Sequence, residues 1–185
     1  MNKVDLSTFS LKNNIDKGAG PLKRIVWNYV NIIFLQSNWL PFSGIKTKLL
    51  RLFGAKVGKG VQIKPNVNIK RPWRLTIGDY CWIGEGVWID NNADVVIENN
   101  CVLSQGAMIL CGNHNYKKSS FDTFLQPVTI KEGAWVCAKA VVAPGVTINT
   151  HAILGVGAVT TKNLDAYGIY SGNPAVKVKE RVIED

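Results

Sequence analysis

A chain of 185 residues has room for one domain and an appendage. Its 46% hydrophobic and 19% charged residues are an ordinary balance for a globular protein. A net charge of +9 and an isoelectric point near 9.5 point to an anionic partner: nucleic acid, an acidic membrane surface or a phosphorylated cofactor. Four cysteines without C-x-x-C spacing, and only two histidines, argue against a disulfide scaffold and against a zinc site. Cys81, Cys101, Cys111 and Cys137 read as reduced thiols packed like small apolar residues, which favours the cytosol.

In chain order, residues 1–20 read as a flexible N-terminus, polar and partly acidic, unlike a secretory signal. Residues 21–55 read as a helical cap. Trp27, Val30, Ile33 and Phe34 fall on one helical face, as do Ile45, Leu49, Leu52 and Phe53, with Pro41 between the two segments. The apolar run from Ile25 to Leu35 is too short to span a bilayer. Two readings stand for this basic region. The helices close an open end of the fold, or residues 21–53 make a peripheral membrane contact.

A period of six then takes over, with an apolar residue at Val57, Ile63 and Ile69, at Ile77, Ile83 and Ile89, at Ile97, Leu103 and Ile109, and at Ile130, Val136, Val142, Ile148 and Leu154. Four residues after most of these stands another apolar or small residue, such as Val61, Cys81, Cys101 and Ala134. Between the two lies Gly or Asn, as at Gly60, Asn66, Gly86, Asn92, Asn100 and Gly106, the residue types that best tolerate positive φ. A short strand followed by a tight corner, repeated every six residues, is no α-helix. Three such sides make a triangular coil, and stacked coils make an all-β solenoid over residues 56–165. Val57, Ile77 and Ile97 are twenty apart, so the early coils carry two extra residues at one corner, and Cys81 should stack on Cys101. Between Ile109 and Ile130 the register breaks, which marks an inserted loop at 111–128. Loops leaving a rigid scaffold are where chemistry tends to sit. Over 166–185 a C-terminal tail follows, with Gly172-Asn173-Pro174 reading as the start of a short helix.

The stretches Ile130-Lys-Glu-Gly-Ala-Trp-Val136, Ala143-Pro-Gly-Val-Thr-Ile148, Gly155-Val-Gly-Ala-Val-Thr-Thr-Lys162 and Ser171-Gly-Asn-Pro174 resemble the C-terminal half of hexapeptide-repeat acetyltransferases. The chain is similar to the galactoside and maltose O-acetyltransferases. It is nearer to the exopolysaccharide group typified by the colanic-acid-biosynthesis acetyltransferases, through Leu50-Arg-Leu-Phe-Gly-Ala55, Trp88-Ile-Asp90 and His114-Asn-Tyr116. The resemblance implies a left-handed parallel β-helix with N-terminal helices and a short C-terminal helix. It also implies a homotrimer whose clefts between subunits bind acetyl-CoA and a sugar or glycan acceptor.

Acyl transfer to a hydroxyl needs a base that titrates near neutrality, and histidine suits that task. The resemblance puts the catalytic histidine at His114, inside the insert; His151 reads as a corner residue. Asp90 to Asn92, one coil earlier, are the expected source of a group that orients His114, and Asp90 and Asn92 are the expected acceptor contacts. Asn92 also fits a plain corner. An acceptor-contacting asparagine of the family falls on Gly84, a departure. For the acyl donor the resemblance implies Ala138, Val156, Thr161, Lys162 and Lys179, with Lys177 and Arg181 adding charge for the CoA phosphates, and Trp135 is expected on the cofactor or at the trimer seam. No metal and no nucleic acid are expected. The alternative activity is N-acetylation of an amino-sugar nucleotide, and the expected place is the cytoplasm, with membrane association left open.

Overall fold

The computed structural model describes residues 3–9 and 17–184; residues 1, 2 and 10–16, part of the expected flexible N-terminus, and residue 185 lie outside the described residues. From Lys56 onward the chain winds through about six coils, whose short strands stack in parallel on three sheets. The first sheet stacks Lys56–Val57, Leu75–Ile77, Val95–Ile97, Val128–Ile130 and Thr147–Ile148. Its columns match the six-residue period: Val57 pairs with Ile77, then Ile97, Ile130 and Ile148. On the second sheet Ile63, Ile83, Leu103, Val136, Leu154 and Tyr170 align. On the third the column runs Ile69, Ile89, Ile109, Val142 and Thr160.

These columns are the core, and from Ile63 to Leu154 their inward members are at most 3% exposed. Positive φ recurs at the corners, but Tyr80 (φ 56°) and Lys139 (φ 57°) take that position as well as Gly and Asn. His151 (φ 58°) is a corner residue, tilted against Tyr167. Cys81 and Cys101 stack as expected, and all four thiols are free and buried.

The twenty-residue coils widen at one corner, between the third and first sheets. There residues 70–74 include the short turn Pro72–Arg74, and residues 90–94 lie on the next coil. The insert at 111–128 leaves from that same corner. It is a β-hairpin, Gly112–His114 antiparallel to Thr123–Leu125, with His114 opposite Thr123.

Two helices cover the open first coil: α1, Pro21–Val30, running into a wider turn at Asn31–Leu35, and α2, Ser43–Leu52. They satisfy the edge groups that the first coil would leave unpaired. The Trp27 indole N–H donates to the Ile69 carbonyl (2.8 Å), and the Leu35 carbonyl accepts from the Val67 N–H. Lys46, fully buried, donates to the Lys64 carbonyl (2.8 Å), and burial pulls its amine below the usual lysine range. The expected inner face of α2 needs correcting. Lys46, Thr47 and Leu50 face inward, while Ile45 and Leu52 are exposed, because the edge to be covered is polar.

The C-terminal helix is also corrected. Val176–Glu180 is a strand, antiparallel to Gly168–Ser171, and Gly172-Asn173-Pro174 is the turn between them, with a cis Asn173–Pro174 bond. The alternation Val176-Lys177-Val178-Lys179 has a period of two, and the exposed sheet edge offered it a partner. At the other end, residues 3–9 do not hang free: the Asp5 N–H donates to the Ser119 carbonyl at the tip of the insert. No helix among the described residues is long and apolar enough to cross a membrane.

Burial pushes the Cys111 thiol up to about 12 and raises that of Cys137. Thiols so shifted stay protonated at about pH 8, where an aromatic disulfide reagent attacks only thiolates. Native protein should therefore leave these two thiols unlabelled for hours, and unfolded protein should label all four cysteines at once. Rapid labelling of Cys111 in the native state would contradict this packing.

Candidate active site

The widened corner decides what meets what. Lys70 and Arg71 on the first coil, Asp90 and Asn92 on the second, and Gly112 to His114 on the hairpin stack along one edge of the solenoid. Together with Phe9, Lys17, Thr123 and Leu125 they line a cleft of about 480 Å³.

His114 is half-buried in this cleft, and its orientation is fixed from within the hairpin. Its Nδ1 lies 2.9 Å from the Phe121 carbonyl oxygen. A carbonyl can only accept, so in the neutral ring Nδ1 carries the proton and Nε2 has the lone pair. The imidazole also stacks on the Phe121 ring (centroids 4.5 Å apart, 9° between planes), with Phe9 tilted against it at 5.8 Å. Phe121 can serve both ways because its backbone sits at φ 52°, rare for an aromatic residue. The tip that holds it there is tied by Asp122, which accepts from Lys118 (2.8 Å) and Ser120 (2.7 Å); these bonds lower its carboxyl below the ordinary range.

The expectation that the preceding coil orients His114 is therefore corrected. Asn91 is buried and bridges coils, accepting from the Arg71 N–H (2.9 Å) and donating to the Arg71 carbonyl (2.6 Å). Asp90 holds Lys70 (2.7 Å) and accepts from the Asn92 amide (3.1 Å). Asp90 and Asn92 share the His114 cleft, and Asn92 is not among the positive-φ corners, so the corner reading of this residue is set aside. At Gly84 a Cβ would come within 2.9 Å of the backbone at Leu103–Gln105, so no asparagine fits the path the chain takes there.

The residues expected at the acyl donor line none of the His114 cleft. Trp135, 40% exposed, stands on the outer face of the second sheet and donates from its indole to Ser104 Oγ (2.8 Å). It lines a groove of about 420 Å³ with Trp82, Gln105 and Gly84. Ala138 and Val156 occupy equivalent corners of adjacent coils, joined by a bond from the Gly157 N–H to the Ala138 carbonyl (2.9 Å). Thr161 and Lys162 are exposed just past the last strand of the third sheet, and Lys179 is exposed on the C-terminal strand opposite Ile169. Two other basic residues of the tail are tied into the fold. Lys177 pairs with Glu180 (2.6 Å), and Arg181 donates to the Gly133 carbonyl (2.9 Å). Arg181 thereby holds the end of the last strand to the corners at Gly133 and His151, and Lys177 also reaches Asp165 (3.6 Å).

Sequence reasoning missed Phe121, Phe9 and the Trp82 groove. No residue-type rule marks a carbonyl as a histidine's partner. Trp82 could have been found, since it precedes an inward isoleucine and must point outward.

A triangular solenoid with a histidine-bearing arm at one corner defines the structural class, and the relatives agree with it. No protein-family model matches the chain. The colanic acid biosynthesis acetyltransferase named WcaF in Escherichia coli K12 is 37% identical over 183 residues, spanning 96% of this chain and 97% of that one. A hexapeptide-repeat-containing acetyltransferase of Vibrio cholerae, solved in complex with acetyl-coenzyme A, superimposes with a TM-score of 0.79 at 18% identity, over 92% of this chain and 94% of that one. A galactoside acetyltransferase in complex with coenzyme A gives a TM-score of 0.76 at 22% identity, over 86% and 81%. At these identities the two solved structures speak for the fold alone. The relation to the Escherichia coli protein spans nearly the whole of both chains, and with it this chain belongs to the hexapeptide-repeat acetyltransferases, in the group of the colanic acid biosynthesis acetyltransferase WcaF.

The Phe121 bond predicts the tautomer of His114. In nitrogen NMR of imidazole-labelled protein, the neutral form of the His114 ring should carry its proton on Nδ1. Protonation on Nε2 would contradict the bond.

Proposed function

We propose that this chain transfers an acetyl group from acetyl-CoA to a hydroxyl of a sugar or glycan in surface-polysaccharide synthesis, with His114 as the general base. The observation that carries the reading is the hydrogen bond from His114 Nδ1 to the Phe121 carbonyl, which leaves Nε2 as the basic atom beside a cleft lined with polar groups. The acceptor hydroxyl gives its proton to Nε2 as its oxygen attacks the thioester carbonyl. The imidazolium that forms is stabilised through Nδ1–H by the Phe121 carbonyl dipole. The tetrahedral intermediate then collapses, the carbon–sulfur bond breaks, and the proton passes from Nε2 to the leaving sulfur. Asp90 and Asn92 offer the acceptor's other hydroxyls hydrogen-bond partners across the same cleft.

Acetyl-CoA lies along Ala138 and Val156, whose small side chain and open corner leave backbone groups accessible to the pantetheine arm. Trp135 flanks it, and Thr161, Lys162 and Lys179 meet the phosphates. Because none of these residues lines the His114 cleft of the same chain, the reading joins them to His114 between copies, in a homotrimer.

Substituting His114→Ala should lower kcat by about 10²–10⁴ with the melting temperature unchanged; near-normal turnover would reject the base. Asn92→Ala should raise KM for the acceptor and leave KM for acetyl-CoA alone, whereas a Lys162→Ala, Lys179→Ala pair should do the reverse. Labelled acetyl-CoA offered with hydroxyl and amino sugars should yield esters, and transfer to amines alone would sink the O-acetyl assignment. In sedimentation the active species should be a trimer, and an active monomer would contradict the shared site.

A further inference from the structure

Helix α1 and the turn that follows it carry two apolar faces, and among the described residues only one has a partner. Trp27 packs inward, with Asn31 and Leu35 continuing that side into the following turn. Leu22, Ile25, Val26, Tyr29, Ile32 and Ile33 recur at helical spacing on the outer side, each 42–74% exposed. Trp39 and Phe42 lie on the connection to α2 and are exposed as well. Single exposed apolar residues need no explanation, but a row of six, four on α1 and two on the turn that continues it, does.

Charge says what covers it. Residues 17–78 hold twelve Lys or Arg and no Asp or Glu, while the rest of the chain has ten basic and thirteen acidic residues. Lys23, Lys48 and Arg51 are exposed on the two helices. A second copy docked on this face would set like charges against each other. Nucleic acid would answer the charge but not the leucine and isoleucines. An anionic bilayer answers both, with acidic headgroups over an apolar layer, and Trp and Tyr suit the depth between them.

The surface also reaches the site. Lys70 and Arg71 line the His114 cleft and, on their other side, a cleft of about 470 Å³ beneath α1 that includes Arg24, Asn28 and Ile32. We propose that the N-terminal helices are an interfacial docking surface for an anionic membrane. The outer stripe of α1 enters the headgroup boundary, and the His114 cleft opens beside the lipid surface.

The test is co-sedimentation of the full-length protein with vesicles of phosphatidylcholine, alone or mixed with phosphatidylglycerol. Binding is expected only with the anionic lipid and should weaken as salt is raised. The pair Lys23→Glu, Lys48→Glu should weaken it by at least about tenfold, and Ile25→Glu, Ile32→Glu should abolish it, with circular dichroism and turnover of a water-soluble acceptor unchanged. Should that pair misfold, Leu22→Ser at the exposed start of α1 reads the same loss. No binding to anionic vesicles, or equal binding to neutral ones, overturns the proposal. So does a fall in assembly mass in the Ile25→Glu, Ile32→Glu protein, since a second copy would then be the cover. Lipid binding is read without turnover, so its failure leaves the acyl-transfer reading standing.

Discussion

Each coil must bring the chain back onto the same three columns, because every strand is paired through its backbone with the strands above and below. Extra residues can then leave the triangle only at a corner. In this protein they leave at the same corner three times: at 70–74, at 90–94 and, in the largest departure, at 111–128. Stacking turns three loops far apart in sequence into one wall. Lys70 and Arg71, Asp90 and Asn92, and His114 meet because the ladder holds their coils in register.

The hairpin adds what the ladder cannot. A histidine on a loose loop would sample many orientations, and both ring nitrogens would be open to the proton. Here the Phe121 carbonyl takes one nitrogen, its ring stacks on the imidazole, and Phe9 closes in from the N-terminal segment. The N-terminal segment thus belongs to the site's support. On the proposed reading a carbonyl dipole does what a carboxylate often does for a histidine base. It fixes the tautomer without adding another charge to a cleft that already holds Lys70, Arg71 and Asp90.

The solenoid was legible because six-residue periodicity is a local signal repeated many times, and each column from Val57 to Leu154 tests the one before. The register break located the insert for the same reason. The ends were harder. Ile45 and Leu52 look like a core face, yet the edge of the first coil is a row of backbone polar groups, and it selects Lys46 and Thr47. Gly172-Asn173-Pro174 carries the residues of a helix start, but an open sheet edge lay within reach of Val176–Glu180, and pairing won over local propensity. His114 could be picked out by residue type and place, whereas Phe121 could not. Its role rests on a backbone carbonyl turned by a positive φ, and no side-chain chemistry announces that.

The central claim is that His114 and the strip from Ala138 to Lys162 complete one site only when they come from different copies. Mixing two inactive variants tests it most directly: His114→Ala, which lacks the base, and Val156→Trp, which blocks the strip. If the two sets of residues meet between subunits, co-assembled trimers contain some clefts with both parts intact, and activity returns on mixing. If mixed assemblies form and remain as inactive as either parent, the site lies within one chain and the account is wrong.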